Sequence, residues 1–311
     1  MMASPGIRQA GSALLVALLI TAIAAILAAA NMESGLYLFH KSEQHLRTQQ
    51  ARQLSMGLED WAITILKKDQ LQTAGKDSYQ DLWNRELPPT EIPGGMIQGH
   101  MVELSGRFNL NTLVDSRGQV NPLALERFSR LLEVLQLEPA IADQVVDWID
   151  RDTSPRPLGA EDSRYRGMNP PRLPPNLPFR HRSELQLLPA MTRPAYDGLK
   201  NHVFAAPFSD TKINVNTAPE AVLMALAPGL TAKIAEQIIA GQRRGFGSYG
   251  ELMQLGFMQD LILSPEGLGF GSQYFLTRVT LLSDNRPLHF ESLLQRRGNQ
   301  YHVLFRRQGG F

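Results

Sequence analysis

The sequence contains no cysteine among its 311 residues, so it can build neither a disulfide framework nor a thiolate metal site. Such a chain relies on its core, or on a metal held by other atoms, for stability. Charge of one sign is also missing: the formal net charge is +1, which sets up no global field to recruit nucleic acid or an acidic surface. The seven histidines, at 40, 45, 100, 181, 202, 289 and 302, are scattered and form no HExxH pair, so a histidine-based zinc site has little support. There is no GxSxG, no Ser–Lys pairing in a recognisable frame and no Walker-type glycine loop. Nucleophilic catalysis and phosphate cradling therefore have nothing to stand on. The few large aromatics, Trp61, Trp83 and Trp148 among them, read as packing anchors, and the methionines as core or linker residues.

Charge is most conspicuously absent near the N-terminus. A polar head, MMASPGIRQAG, carries one cation, Arg8, and runs into SALLVALLITAIAAILAAANM, with no charged residue before Glu33. About twenty uncharged, mostly apolar residues suffice to cross a bilayer as a helix. A secretory signal has a shorter apolar core followed by a small-residue cleavage site. Here the processing-like junction, Gly11-Ser12, precedes the apolar run, so a cut there leaves the hydrophobic segment on the mature chain. An uncut signal anchor and a signal cut within AAILAAAN are the competing readings, and an inserted helix is favoured. Arg8 and the terminal amine place the head in the cytoplasm and everything after about Asn31 beyond the inner membrane.

The helical pattern does not stop at Asn31. Leu36, Phe39, Leu46, Leu54, Leu58, Trp61 and Ile65 recur at spacings near one helical face. The pattern predicts a single helix from about Ser12 to Lys68, roughly 85 Å long, apolar all round at first and then amphipathic, with Gly35 as a weak point. Residues 70–110 read as linker and strand: LPPTEIPGG is turn-rich, and HMVELSGRFNL is a strand running into a turn. Residues 111–271 read mainly as helices, interrupted by the proline-rich loop MNPPRLPPNLPF. The last forty residues, YFLTRVTLL, PLHFESLLQRR and QYHVLFRRQ, carry strand composition and predict an antiparallel meander, with a hairpin turn at Gly298-Asn299. This order predicts an α+β fold in which a helical block interrupts a helix-plus-sheet domain.

That block contains an internal echo. Phe108-Asn109-Leu110-Asn111-Thr112 is matched by Ile213-Asn214-Val215-Asn216-Thr217, and each precedes a helix, a proline and a second helix. The Asn and Thr residues are expected to cap the helices that follow, with Thr217, Pro219 and Glu220 forming one start.

Two clusters could carry chemistry. DWIDRDTSPRPLGAEDSRY places Asp147, Asp150, Asp152, Glu161 and Asp162 within sixteen residues. Calcium, which takes six to eight oxygens, would suit them, although the spacing is not that of an EF-hand. The alternative is that Arg151, Arg156, Arg164 and Arg166 neutralise the acids as solvated ion pairs worth little. Spacing alone leaves the two readings level. The second cluster, INVNTAPEAVLMALAPGLTAKIAEQIIAGQRRGFGSYGEL, is similar to a DNA-backbone-binding helix-hairpin-helix unit. Its cations Lys233, Arg243 and Arg244 are nearly cancelled by Glu220, Glu236 and Glu251, which favours a structural use.

Together these residues resemble a known family: the general secretion pathway protein K family of minor pseudopilins of type II secretion. The resemblance covers nearly the whole chain and rests on the Gly11-Ser12 junction with its apolar helix, on GRFNLNTL, on VVDWIDRD followed by PRPLGAED, and on INVNTAPEAVL. It implies a pilin-like long N-terminal helix packed on an antiparallel sheet, with a large inserted helical domain of two helix-hairpin-helix or SAM-like units. The implied divisions are a leader at 1–11, a transmembrane half-helix at 12–32, the rest of the helix and the first part of the pseudopilin domain at 33–110, the inserted domain at 111–271 and C-terminal strands at 272–311. Prepilin peptidase would cut after Gly11, and the new terminus at Ser12 would be N-methylated.

Most pilin-like proteins carry glutamate at the fifth mature residue, where this chain has Val16. Protein K of the family typically lacks that glutamate, which implies a subunit with nothing above it, at the tip of the pseudopilus. The implied partners are minor pseudopilins I and J, the major pseudopilin and the inner-membrane assembly platform. Calcium binding known in the family shifts the level reading toward a metal, with Asp150, Asp152, Glu161 and Asp162 as ligands and Asp147 as a further candidate. The resulting expectation is a non-enzymatic assembly protein, anchored once in the inner membrane with its C-terminal domain in the periplasm. A membrane-tethered DNA-binding protein is the alternative, and an anchored hydrolase using the acids a distant third.

Overall fold

A computed structural model describes residues 9–92, 95–283 and 286–309. The first eight residues of the expected leader therefore lie outside the described residues. The chain divides at Gly57/Leu58 into two compact units.

The first unit is made by helix α1 (Gln9–Thr73), which continues into the second. The helix is longer than the sequence pattern predicts at both ends, and it runs unbroken through Gly35. One glycine costs only about 1 kcal/mol in a helix interior, too little to interrupt so long a ladder. Leu14, Leu15, Leu18, Leu19, Ile23 and Leu27 are all exposed, as is Val16. Among the described residues this is the one helix long and apolar enough to cross a membrane by length and composition.

The second unit is built on a five-stranded sheet. Its strands are β1 (Leu87–Ile92), β2 (Gly95–Glu103), β7 (Tyr274–Ser283), β8 (Arg286–Arg297) and β9 (Gln300–Gln308), in the order β1-β2-β7-β8-β9 and antiparallel throughout. LPPTEI, expected as turn, is strand β1. Proline cannot donate to a ladder and is tolerated at a sheet edge. β1 is such an edge, and its register shifts between Leu87 and Thr90, where Pro88 and Pro89 fall. The C-terminal meander forms as expected. Arg297 pairs with Gln300 across the Gly298-Asn299 turn, and Gly298 takes a positive φ of 56° at the first turn position, which favours glycine.

The last turns of α1 cover this sheet. Ala62 and Leu66 bury themselves with Trp83, Met101, Phe275 and Leu294 in one apolar cluster. Glu59, one turn before Ala62, is also buried. It receives paired hydrogen bonds from Arg306 on β9 (2.8–3.0 Å) and the hydroxyl of Ser292 on β8 (2.5 Å).

Between β2 and β7 the chain forms helices around the largest apolar cluster among the described residues. They are α2 (Pro122–Val134), α3 (Ala140–Ile149), α4 (Asp162–Arg166), α5 (Arg193–Leu199), α6 (Glu220–Ala225), α7 (Ala232–Gln242) and α8 (Tyr249–Met253). Four two-residue strands tie the ends of this block in parallel pairs: β3 (Phe108–Asn109) with β4 (Val203–Phe204), and β5 (Ile213–Asn214) with β6 (Leu268–Gly269).

The two Asn-rich echoes begin the two halves of this block, but their main work is not helix capping. α6 starts at Pro219 without a side-chain cap, and Thr217 is buried with its hydroxyl on the Asn214 carbonyl (3.4 Å). Asn109 does accept from the Asn111 N–H at the head of a short 3-10 turn (3.3 Å). All four asparagines are buried and bridge distant backbone. Asn111 accepts from the Phe179 N–H (2.8 Å) and donates to the carbonyls of Phe179 and Ala206. Asn216 does the same to Phe246 N–H (2.6 Å) and to the carbonyls of Phe246 and Phe270. Loops that enter a core must satisfy their backbone groups somewhere, and an amide carries both a donor and an acceptor for the purpose. Each clamped phenylalanine is followed five and six residues later by Glu-Leu, at 184–185 and 251–252. Glu184 returns to the Arg180 and His181 N–H groups and Glu251 to the Gly247 N–H, so the two halves repeat even their helix starts.

Candidate functional site

The acidic segment begins on α3, whose residues Ile141, Val145, Val146 and Trp148 are buried in the core. That seating fixes Asp147 and Asp150 at the helix end. Asp147 is fully buried and accepts from the Arg156 N–H at 3.2 Å. A Cβ at position 159 would sit 1.9 Å from the Asp147 carboxylate, so only glycine lets the returning loop pass this close. The loop then delivers Glu161, also buried, opposite Asp150.

One carboxylate oxygen from each of Asp150, Asp152 and Glu161 lies within 4.8 Å of the other two. Asp162, expected with them, is not in this group; it faces Arg166 one helical turn away at 2.7 Å. Asp147 sits behind the group as a brace for the loop. Among the described residues no arginine forms an ion pair with the trio. Arg156 pairs with Asp143 at 2.7 Å, an acid outside the dense 147–162 segment, and Arg166 is taken by Asp162. Asp150 Oδ1 and both oxygens of Glu161 are buried and have no hydrogen-bond partner among the described residues.

Burying carboxylates without donors favours their neutral forms. Burial, with Asp152 and Asp147 adding repulsion, pushes Asp150 up to about 6. Burial, with repulsion from Asp147, Asp150, Asp152 and Asp162, pushes Glu161 up to about 7, and burial holds Asp147 at about 6. Sealed oxygens with no donors meet the requirement of a hard divalent cation, which takes carboxylate and loop-carbonyl oxygens.

The other half of the block provides an internal control. IADQVVDWIDR at 141–151 aligns with IAEQIIAGQRR at 234–244, and the acids Asp147 and Asp150 are replaced by Ala240 and Arg243. The scaffold therefore does not need the acids for its own packing. In that second half Lys233, Arg243 and Arg244 are exposed, but so are Glu220, Glu236 and Glu251. The exposed charges interleave and supply no excess of cations for a phosphate backbone.

Two family models, both described as type II secretion system protein K, match residues 106–208 and 213–269. A protein K of Klebsiella pneumoniae is 31% identical over 316 aligned positions, covering 97% of each chain. One from Pseudomonas aeruginosa is also 31% identical, over 97% of this chain and 93% of its own. The chain belongs to the type II secretion system protein K family. A crystal structure of the GspK-GspI-GspJ complex from the enterotoxigenic Escherichia coli type 2 secretion system contains a chain of the same fold. It has a TM-score of 0.76 and 24% identity, and the match covers 87% of this chain and all of that one. Membership of the protein K family makes this chain a component of type II secretion, and its apolar N-terminal helix fits a membrane anchor.

Proposed function

We propose that this protein is a minor pseudopilin that caps the type II secretion pseudopilus and starts its assembly with minor pseudopilins I and J. The observation that carries the reading is helix α1 in a protein K family member: an exposed apolar stretch from Leu14 to Met32 with valine, not glutamate, at position 16. In a pilus a carboxylate at that place meets the amine of the next subunit inside lipid, where an unpaired charge is costly. A subunit with an apolar residue there offers no such seat to a subunit above it. The relative crystallised with GspI and GspJ supports the choice of partners. On this reading the leader is 1–11, the transmembrane half 12–32, and residues 111–271 are a domain inserted into a pseudopilin fold at 33–110 and 272–311. The repeated Asn–Phe clamps support its two helix-hairpin-helix or SAM-like units. The chain acts by assembly rather than catalysis, with the major pseudopilin and the assembly platform as further partners. Its C-terminal domain lies in the periplasm.

Calcium is the proposed ligand of Asp150, Asp152 and Glu161. When bound it would cross-link the 150–161 loop to the end of α3, and loop oxygens would complete its shell. The reading as a whole predicts processing by prepilin peptidase. Mass spectrometry of the mature protein should find an N-methylated Ser12 as the first residue. A chain beginning near Asn31 would contradict an anchored subunit.

A further inference from the structure

A second group of acids lies where α1 ends. Asp69, on its last turn, and Asp77 are fully buried, and Asp81 is half-buried in the turn that follows. One oxygen from each lies within 4.8 Å of the others. The polar partners are few. Arg296, at the end of β8, pairs with Asp77 through its two terminal guanidinium nitrogens, and the Ser272 N–H donates to the same carboxylate at 2.6 Å. Asp81 accepts from the Ser78 N–H (2.6 Å) and hydroxyl (3.1 Å), and Asp69 Oδ1 from the Leu82 N–H (2.9 Å). Asp69 Oδ2 is sealed from solvent and accepts nothing among the described residues. Lys76, the nearest other cation in sequence, is turned away and donates to the carbonyls of Arg244 and Gly245.

Three carboxylates facing one guanidinium leave two negative charges, one on a buried residue with a bare oxygen. Buried charges need a partner or a metal. We propose that Asp69, Asp77 and Asp81 form a site for one divalent cation of the calcium type. The ion would join the end of α1, the 77–81 turn and, through Asp77, strand β8. This site belongs to the helix-on-sheet part of the fold and shares no residue with Asp150, Asp152 and Glu161. It does not rest on the pseudopilin reading.

The test is calcium binding by the full chain in detergent, followed by equilibrium dialysis and by tryptophan-sensitised terbium emission. Trp83 lies two residues beyond Asp81 and is fully buried, so it is a built-in donor for this site. The Asp150→Asn/Glu161→Gln chain should retain one bound calcium and the emission. Adding Asp69→Asn should weaken that binding roughly tenfold or more, because a charged ligand is removed. Adding Trp83→Phe should remove the emission while leaving the calcium bound. If Asp69→Asn prevents folding, judged by far-ultraviolet circular dichroism, Asp81→Asn should show the same weakening. A chain with Asp150→Asn/Glu161→Gln that binds no calcium overturns this site. So does one whose binding is unchanged by Asp69→Asn or Asp81→Asn. Wild-type binding that Asp150→Asn/Glu161→Gln leaves untouched would instead remove the first site and leave this one standing.

Discussion

Single residues do two kinds of work here that a side-chain inventory does not distinguish. Asn216 is buried and makes three hydrogen bonds to the backbone of two loops. Leaving a buried backbone group unpaired costs about 1–3 kcal/mol. Asn216→Ala should therefore destabilise the protein by about 3 kcal/mol or more, measured by chemical denaturation. A change within 0.5 kcal/mol, the usual size for a surface position, would contradict the clamp.

Glu103 on β2 shows the opposite situation, a buried carboxylate with no cation bonded to it. It accepts from the Gly106 N–H at 3.0 and 3.2 Å, and the hydroxyls of Ser272 and Thr217 favour its charged form as well. Burial outweighs these donors and pushes the carboxyl above its ordinary range. A folded-state value above the unfolded one means that the folded protein holds the proton more tightly. The contribution to stability is then fully present below the ordinary glutamate pKa and is lost as pH rises through the folded value. Glu103→Gln should flatten this part of the stability–pH profile, with the variant gaining on the wild type as pH rises above the ordinary glutamate range. Parallel profiles would refute the assignment.

At this scale the sequence was legible where chemistry concentrates. Asp150, Asp152 and Glu161 come together as their density suggests. Asp143 was not legible, because its pairing with Arg156 depends on the path of the loop after α3, whereas Asp162 turns to Arg166 because α4 sets the two one helical turn apart. The asparagine repeat is visible in the sequence, but spacing suggests only local capping and does not show a partner 68 residues away.

Among the elements, α1 and the C-terminal meander follow directly from hydrophobic pattern and strand composition. Strand β1 did not, because Pro88 and Pro89 read as turn wherever the edge position is unknown. The link between α1 and the sheet was also hidden. Glu59 looks like an ordinary charge on an amphipathic helix, yet it is buried and held by Arg306, 247 positions away. Removing one partner of such a pair costs more than the pair is worth, because the remaining groups lose their partner. Arg306 is 43% exposed at its side chain, so water can recover part of the loss. Glu59→Ala should cost about 2 kcal/mol, in the range for hydrogen bonds to charged groups. It should also free the last turns of α1 to exchange amide protons faster. Unchanged exchange at residues 58–73 would show that the apolar cluster alone seats the helix.

The whole molecule combines an apolar N-terminal helix, a sheet that seats the foot of the same helix, and a helical block whose two halves repeat the Asn–Phe clamp, with counterparts of Asp147 and Asp150 missing from the second half. Its net charge of +1 sets up no global field. Family membership gives the chain its setting in type II secretion. The central claim is that this chain joins minor pseudopilins I and J as the end piece of a filament. The direct test is to co-express the full chain with both partners, extract the membranes in mild detergent and purify on a tag carried by this chain alone. The account predicts a stable complex containing one copy of each protein. Recovery of this chain by itself, with both partners correctly folded in the same extract, would contradict it.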